Sequence, residues 1–136
     1  MAESTITLRL TIADPVLGIR YSLQKKDAVH DPRIATDAPL SFDVPVRLRD
    51  DGRFLGDFVR REGPERRFIY VRIGQSAGQH DTPISRRAKI DIHNIPAALL
   101  DQARQGAVLE AVLPGRAGDG TPACATVRPI QGWRAA

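Results

Sequence analysis

A single cysteine, Cys124, means that no disulfide can form within the chain. Three histidines and one cysteine are also too few for an ordinary structural zinc site. Aromatic residues make up 5% of the sequence, which leaves few rings to stack against nucleic-acid bases. No stretch approaches the roughly 20 consecutive apolar residues of a membrane-spanning helix. The opening MAESTITLRL lacks the basic run and apolar run of a secretory leader. A reduced, cytoplasmic setting is the expectation, with no metal and no other cofactor. Repeats and low-complexity tracts are absent too. The 136 residues suit one β-rich domain, 1–136, able to bury a core without covalent staples.

Alternating patterns dominate what is present. Ile6, Leu8, Leu10 and Ile12 alternate with Thr5, Thr7, Arg9 and Thr11, which predicts a strand with one buried face. Asp14-Pro15 and Gly18 end it, and Ile19, Tyr21 and Leu23 begin a second strand, expected to pair antiparallel with the first. Lys25 to Pro39 is polar and irregular and reads as a surface loop. Leu40, Phe42, Val44, Val46 and Leu48 then share one face of a third strand. Pro45 in that strand predicts an edge or a bulge, because proline has no N–H for a ladder hydrogen bond. Further on, Pro96 opens a short helix that Gly106 closes, and Leu109, Ala111 and Leu113 mark another strand. A last strand is expected over 122–130, with Cys124 a buried, inert thiol. GRAGDG at 115–120 lacks the Lys-Ser/Thr of a phosphate loop and reads as a flexible turn. The expectation is therefore a mainly β fold: an antiparallel β-sandwich or a partly closed β-barrel of 7–8 strands, with one short helix near 96–105.

The chain is organised around 66–93, RRFIYVRIGQSAGQHDTPISRRAKIDIH. Ile69, Val71 and Ile73 form one apolar face of a strand, and Phe68 and Tyr70 make the other face largely apolar too, so this strand is expected to be central. The second strand is cleaner: Ala88, Ile90 and Ile92 on one face, Arg87, Lys89, Asp91 and His93 on the other. The twelve residues between, 74–85, form a largely polar loop longer than the about 2–5 residues a hairpin needs, and such loops often carry binding groups.

Several pieces resemble a known family. GPERRFIYVRIGQSAGQ from Gly63, SRRAKIDI from Ser85, PACATV from Pro122 and the pair Gly132-Trp133 look like a bacterial family known only as a domain of unknown function, along nearly the whole chain. That resemblance implies a whole-chain domain and brings no activity and no site residue with it.

Charge points to the same stretch. From Val46 to Lys89 there are eleven Lys or Arg against six Asp or Glu, whereas the remainder has nine against ten. Arg72, Arg86, Arg87 and Lys89, with His80 and Asp81 in the loop, are the candidate ligand-binding residues, able to fork onto a carboxylate or phosphate. Arg66 and Arg67 lie at the strand end far from the loop. The bland alternative is a solvated strand face salt-bridged to Asp91 or Asp81. The expected function is the binding of an anionic small molecule or an acidic protein partner. Two alternatives stand beside it. One is an enzyme using His80 and Asp81, with Ser76 or Ser85 as nucleophile, although no catalytic signature supports it. The other is a protein-interaction module, including a homodimer. Nucleic acid is disfavoured, since no helix carries a basic recognition face.

Overall fold

The computed structural model describes residues 3–26, 28–62, 65–76, 86–129 and 132–136. In chain order the elements are β1 (Glu3–Ile12), β2 (Ile19–Lys25), β3 (Ala28–Ile34), β4 (Leu40–Arg49), β5 (Phe54–Leu55) and β6 (Val59–Glu62). There follow β7 (Glu65–Ser76), β8 (Arg86–Asp91), α1 (Ala97–Arg104), β9 (Val108–Leu113), β10 (Thr126–Val127) and β11 (Trp133–Ala135). The strands form two sheets. The first runs β11-β9-β1-β4-β5 and the second β10-β8-β7-β2-β3, with β6 also paired to β7. Each order begins and ends on a different strand, so neither sheet closes, which removes the barrel expectation.

Period-two patterning decides which side chains go inside. Ile6, Leu8, Leu10 and Ile12 of β1 are buried, as are Phe42, Val44, Val46 and Leu48 of β4, the strand beside it. From the second sheet come Tyr21, Leu23, Ile69, Val71, Ile73, Ala88 and Ile90, and all of these belong to one apolar cluster drawn from both sheets. Each Val, Leu, Ile or Phe among them contributes about 1.5–3 kcal/mol by leaving water.

Several expectations need correction. Strands β1 and β2 do not pair. The turn after β1 carries the chain from one sheet to the other, and both flanks of β1 are taken by β4 and β9. The sheets are not purely antiparallel: β1 pairs parallel with β9, and β8 with β10. The chain can enter β9 in that direction because it returns through α1, which packs on β1, β9 and β11. Residues 28–34, read as loop, form β3. This edge strand is exposed on both faces except at half-buried Arg33, so burial imposed no alternation on its sequence. Its register with β2 shifts between Tyr21 and Leu23, and Asp31 takes a left-handed φ of 53°, a bulge that accommodates Pro32. Among the described residues of the expected 122–130 strand, only Thr126–Val127 form one, and Cys124 is exposed rather than buried.

Other expectations hold. Pro45 faces Thr7 on one side of β4. On the other side β5 pairs only with Arg47 and Leu48, so Pro45 sits on the open part of the edge. Nearby, Arg33 reaches from the second sheet to donate to the Ser41 carbonyl and lies 4.2 Å from the centre of the Phe42 ring, closing that side of the core. Helix α1 begins after Pro96 and is followed by Gly106 at φ 106°. The 115–120 loop, expected to be a flexible turn, is instead tied down. A Cβ on Gly115 would lie 2.0 Å from the Asp14 carbonyl oxygen, and Arg116 pairs with the Asp14 carboxylate at 3.0 Å.

Candidate functional site

Strand β7 lies between β8 on one edge and β2 and β6 on the other, the central position expected of it. Its pairing with β8 sets two faces. Ile69 opposite Ile90 and Val71 opposite Ala88 point to the core. Phe68 opposite Asp91, Tyr70 opposite Lys89 and Arg72 opposite Arg87 share the outer face, and Ser22 of β2 flanks Arg72 on its other side. Three of the candidate residues, Arg72, Arg87 and Lys89, are thus brought together. Arg86 pairs with buried Ile73, one residue out of phase with Arg87, and its side chain lies outside the described residues. His80 and Asp81 also lie outside them.

The outer face has an aromatic floor. Phe68 and Tyr70 are buried, at 5% and 6% exposure, yet neither belongs to the core cluster that the sheets share. Cations cover them instead. The Arg87 guanidinium lies 4.5 Å from the Tyr70 ring centre, and Arg67 and the Lys89 ammonium lie 5.2 Å and 5.8 Å from that of Phe68. Each such contact is worth about 0.5–1 kcal/mol near solvent. It also limits where a long, flexible cation can point.

The carboxylate of this face is Asp91, 3% exposed although its place in the alternation predicted a wet position. The chain register explains the difference. A shift between Arg60 and Arg61 in the β6–β7 pairing marks an irregularity beside Arg67, and the Arg67 guanidinium reaches Asp91 Oδ2 at 2.7 Å. The His93 amide donates to Oδ1 at 2.9 Å. Burial pushes the Asp91 carboxyl up, but the Arg67 hydrogen bond, the His93 amide and the Arg67 charge together outweigh it and hold the group below its ordinary value.

The outer face of the first sheet was not singled out by the sequence. Register aligns Arg134 with Glu110, Glu110 with Arg9, and Arg9 with Asp43, a row of alternating sign across β11, β9, β1 and β4. Arg9 donates to both Asp43 oxygens at 2.8 and 3.2 Å, Arg134 to Glu110 at 2.9 Å, and the Thr11 hydroxyl to Glu110 at 2.9 Å. The Arg9 hydrogen bond holds the Asp43 carboxyl low, and those from Arg134 and Thr11 do the same for Glu110. Arg9, Asp43 and Glu110 of this row, with Asp31, Arg33 and Ser41, line an open groove of about 540 Å³. A second concavity, of about 270 Å³, is bounded by Lys26, Arg47, Asp57 and Arg60 among others. Neither includes Arg72, Arg87 or Lys89. The available signal was weak: Arg9, Asp43 and Glu110 each occupy a wet position of an alternating strand, but only the register shows that their signs match.

Among the described residues, no group of three His, Cys, Asp or Glu is placed to hold a metal ion, and no helix is long and apolar enough to cross a membrane. The sequence pattern of a family of unknown function (DUF5990) matches residues 6–136. No curated protein and no solved structure matches the chain.

Proposed function

The chain belongs to that family of unknown function, and we propose that it is a binding module: a single-domain β-sandwich that holds an acidic partner on the outer face of β7 and β8 and carries out no chemistry on it. The observation that carries this is the register of Arg72 directly opposite Arg87, with Lys89 two residues further along β8. Three cations gathered on one face make a locally positive surface, which draws an acidic partner. Stacking on Tyr70 fixes the Arg87 guanidinium before any ligand arrives, so less freedom is lost on binding. Arg86, His80 and Asp81 belong to the same stretch and are the candidates to extend the contact beyond the strands.

The test is titration of the full chain with a labelled poly-glutamate at about 0.1 M salt and again at about 1 M, where charges more than roughly 3 Å apart are screened. Saturable binding at low salt, weakened at high salt and lost in Arg87→Glu/Lys89→Glu, is expected. Binding that survives that double substitution would move the site elsewhere.

A further inference from the structure

Apart from the β7–β8 face, we infer that the smaller concavity, at the rim between the two sheets, binds a small phosphomonoester, its phosphate held by Lys26, Arg47 and Arg60 and its carbon skeleton lying against Leu55. The backbone makes this hollow. Strand β5 covers β4 only at Arg47 and Leu48, after which the chain turns at Gly56, whose φ of 138° favours glycine, and passes to the second sheet as β6. The end of β2 closes the other side. The Lys26 amide donates to the Asp57 carbonyl at 3.0 Å, and the Gln24 side-chain amide donates to the Lys26 carbonyl at 3.0 Å. The Val59 amide donates to the Gly56 carbonyl at 3.2 Å. These bonds set the walls before any ligand arrives, so little ordering is left for binding to impose.

Three cationic residues and one carboxylate, Asp57, border the hollow. The ion pairs there are loose. Lys26 lies 3.6 Å from Asp57, and Arg47 lies 3.8 Å from Glu3, both too far for a hydrogen bond, and all four side chains are more than a third exposed. Among the described residues, Arg60 makes no ion pair. With both pairs counted, the border keeps positive charge in excess, and a concave border of one sign concentrates anions. The three cationic residues come from three separate segments: the end of β2, β4 and β6. A phosphate, with three free oxygens and about −1.5 to −2 charge, can accept from several such donors at once, whereas a carboxylate has two coplanar oxygens and one charge. At about 270 Å³ the hollow is smaller than the about 300–1,000 Å³ of a drug-sized ligand's site, and half-buried Leu55 adds a carbon wall. That suits a phosphate bearing a few carbons better than a nucleotide.

The experiment is isothermal titration calorimetry of the full chain, at constant ionic strength, with glycerol 3-phosphate, inorganic phosphate and succinate. Glycerol 3-phosphate is expected to bind at least about tenfold tighter than either of the others. Arg47→Gln/Arg60→Gln should weaken it at least about tenfold. Asp57→Asn, which removes the one carboxylate of the border, should strengthen it. Arg87→Glu/Lys89→Glu, the substitutions that test the β7–β8 face, should leave it unchanged, so the two sites stand or fail separately. If the double variant at the hollow does not fold, the single Arg47→Gln, an exposed position, carries the comparison. Succinate binding as tightly would overturn the choice of phosphate, and inorganic phosphate binding as tightly would overturn the part given to the carbon skeleton. Weaker binding in Asp57→Asn, or affinity that Arg47→Gln/Arg60→Gln leaves intact, would overturn the location. No binding of any of the three would overturn the inference and leave the acidic-partner reading of β7 and β8 standing.

Discussion

The two outer faces of this molecule carry similar residue types and opposite arrangements. On the first sheet, cations and carboxylates alternate across four strands, Arg134, Glu110, Arg9 and Asp43, and each meets its opposite. On the second, register sets Arg72 against Arg87 beside Lys89, and the nearby carboxylate, Asp91, is drawn down and neutralised by Arg67. Composition cannot separate the two cases, because both contain arginines at wet positions of alternating strands. Pairing partners separate them. One face satisfies its own charges and needs no ligand. The other gathers Arg72, Arg87 and Lys89 over buried aromatic rings.

The largest effect tests the pair that anchors the second face. Asp91→Ala leaves the Arg67 guanidinium, 29% exposed, without its carboxylate and the His93 amide without its acceptor. A loss of about 3 kcal/mol is expected in urea unfolding, since breaking a buried pair strands the remaining charge. A loss below about 1 kcal/mol would show that Asp91 is solvated like any surface carboxylate. The same pair sets an acid limit. The Asp91 pKa is lower in the folded chain than in the unfolded one, so its contribution is complete above the ordinary carboxylate range. It disappears as pH falls through the depressed folded value. Stability of the wild type should therefore fall on acidification, and that of an Asp91→Asn variant should fall less.

Next comes the balanced face. Arg9→Glu places a third carboxylate between Asp43 and Glu110 and turns two attractive pairs into repulsive ones. The melting temperature should drop, and by more than in Arg9→Ala, which only deletes the attraction. High salt should narrow the gap between the two variants. Equal melting temperatures would mean that the row carries no energetic weight.

A smaller effect of opposite sign is expected from making the second face resemble the first. Arg87→Glu puts a carboxylate opposite Arg72 and should raise stability by about 0.2–1 kcal/mol while removing the binding of acidic ligands. Stability and function would then move in opposite directions at one position. A destabilised Arg87→Glu variant would instead show that stacking on Tyr70 outweighs the relief of repulsion.

Much of this was legible in the sequence, for a physical reason. The strands β1, β4, β8 and β9 bury mainly one face, and burial writes period two into the residues; β7, apolar on both faces, was legible as a central strand. The helix was legible through Pro96 and Gly106, which act locally. Strand β3 was not, because an exposed edge strand imposes no alternation, and Pro32 and Asp31 looked like loop residues while serving a bulge. The partner of β1 was not legible either. Register and sheet assignment depend on long-range packing, and a turn with Pro and Gly reads the same whether it makes a hairpin or a passage between sheets. The basic cluster was half legible. Arg72, Arg87 and Lys89 were found from charge and parity. That Asp91 would be buried depended on Arg67 reaching it from beside an irregularity in the β6–β7 pairing.

The finest test separates repulsion from every other property of the two arginines. In a double-mutant cycle of Arg72→Gln and Arg87→Gln, each single substitution removes the same unfavourable contact, so the second should add little once the first is made. A coupling of about 0.2–1 kcal/mol is expected by urea unfolding at about 0.1 M salt, with the sign of repulsion. At about 1 M salt it should fade, because exposed charges several ångströms apart are then screened. The equivalent cycle on Arg9 and Asp43 should give a coupling of opposite sign and the same salt dependence. A favourable coupling between Arg72 and Arg87 would mean that the two guanidiniums hold each other in place without an anion, and the face would lose its reason to bind one.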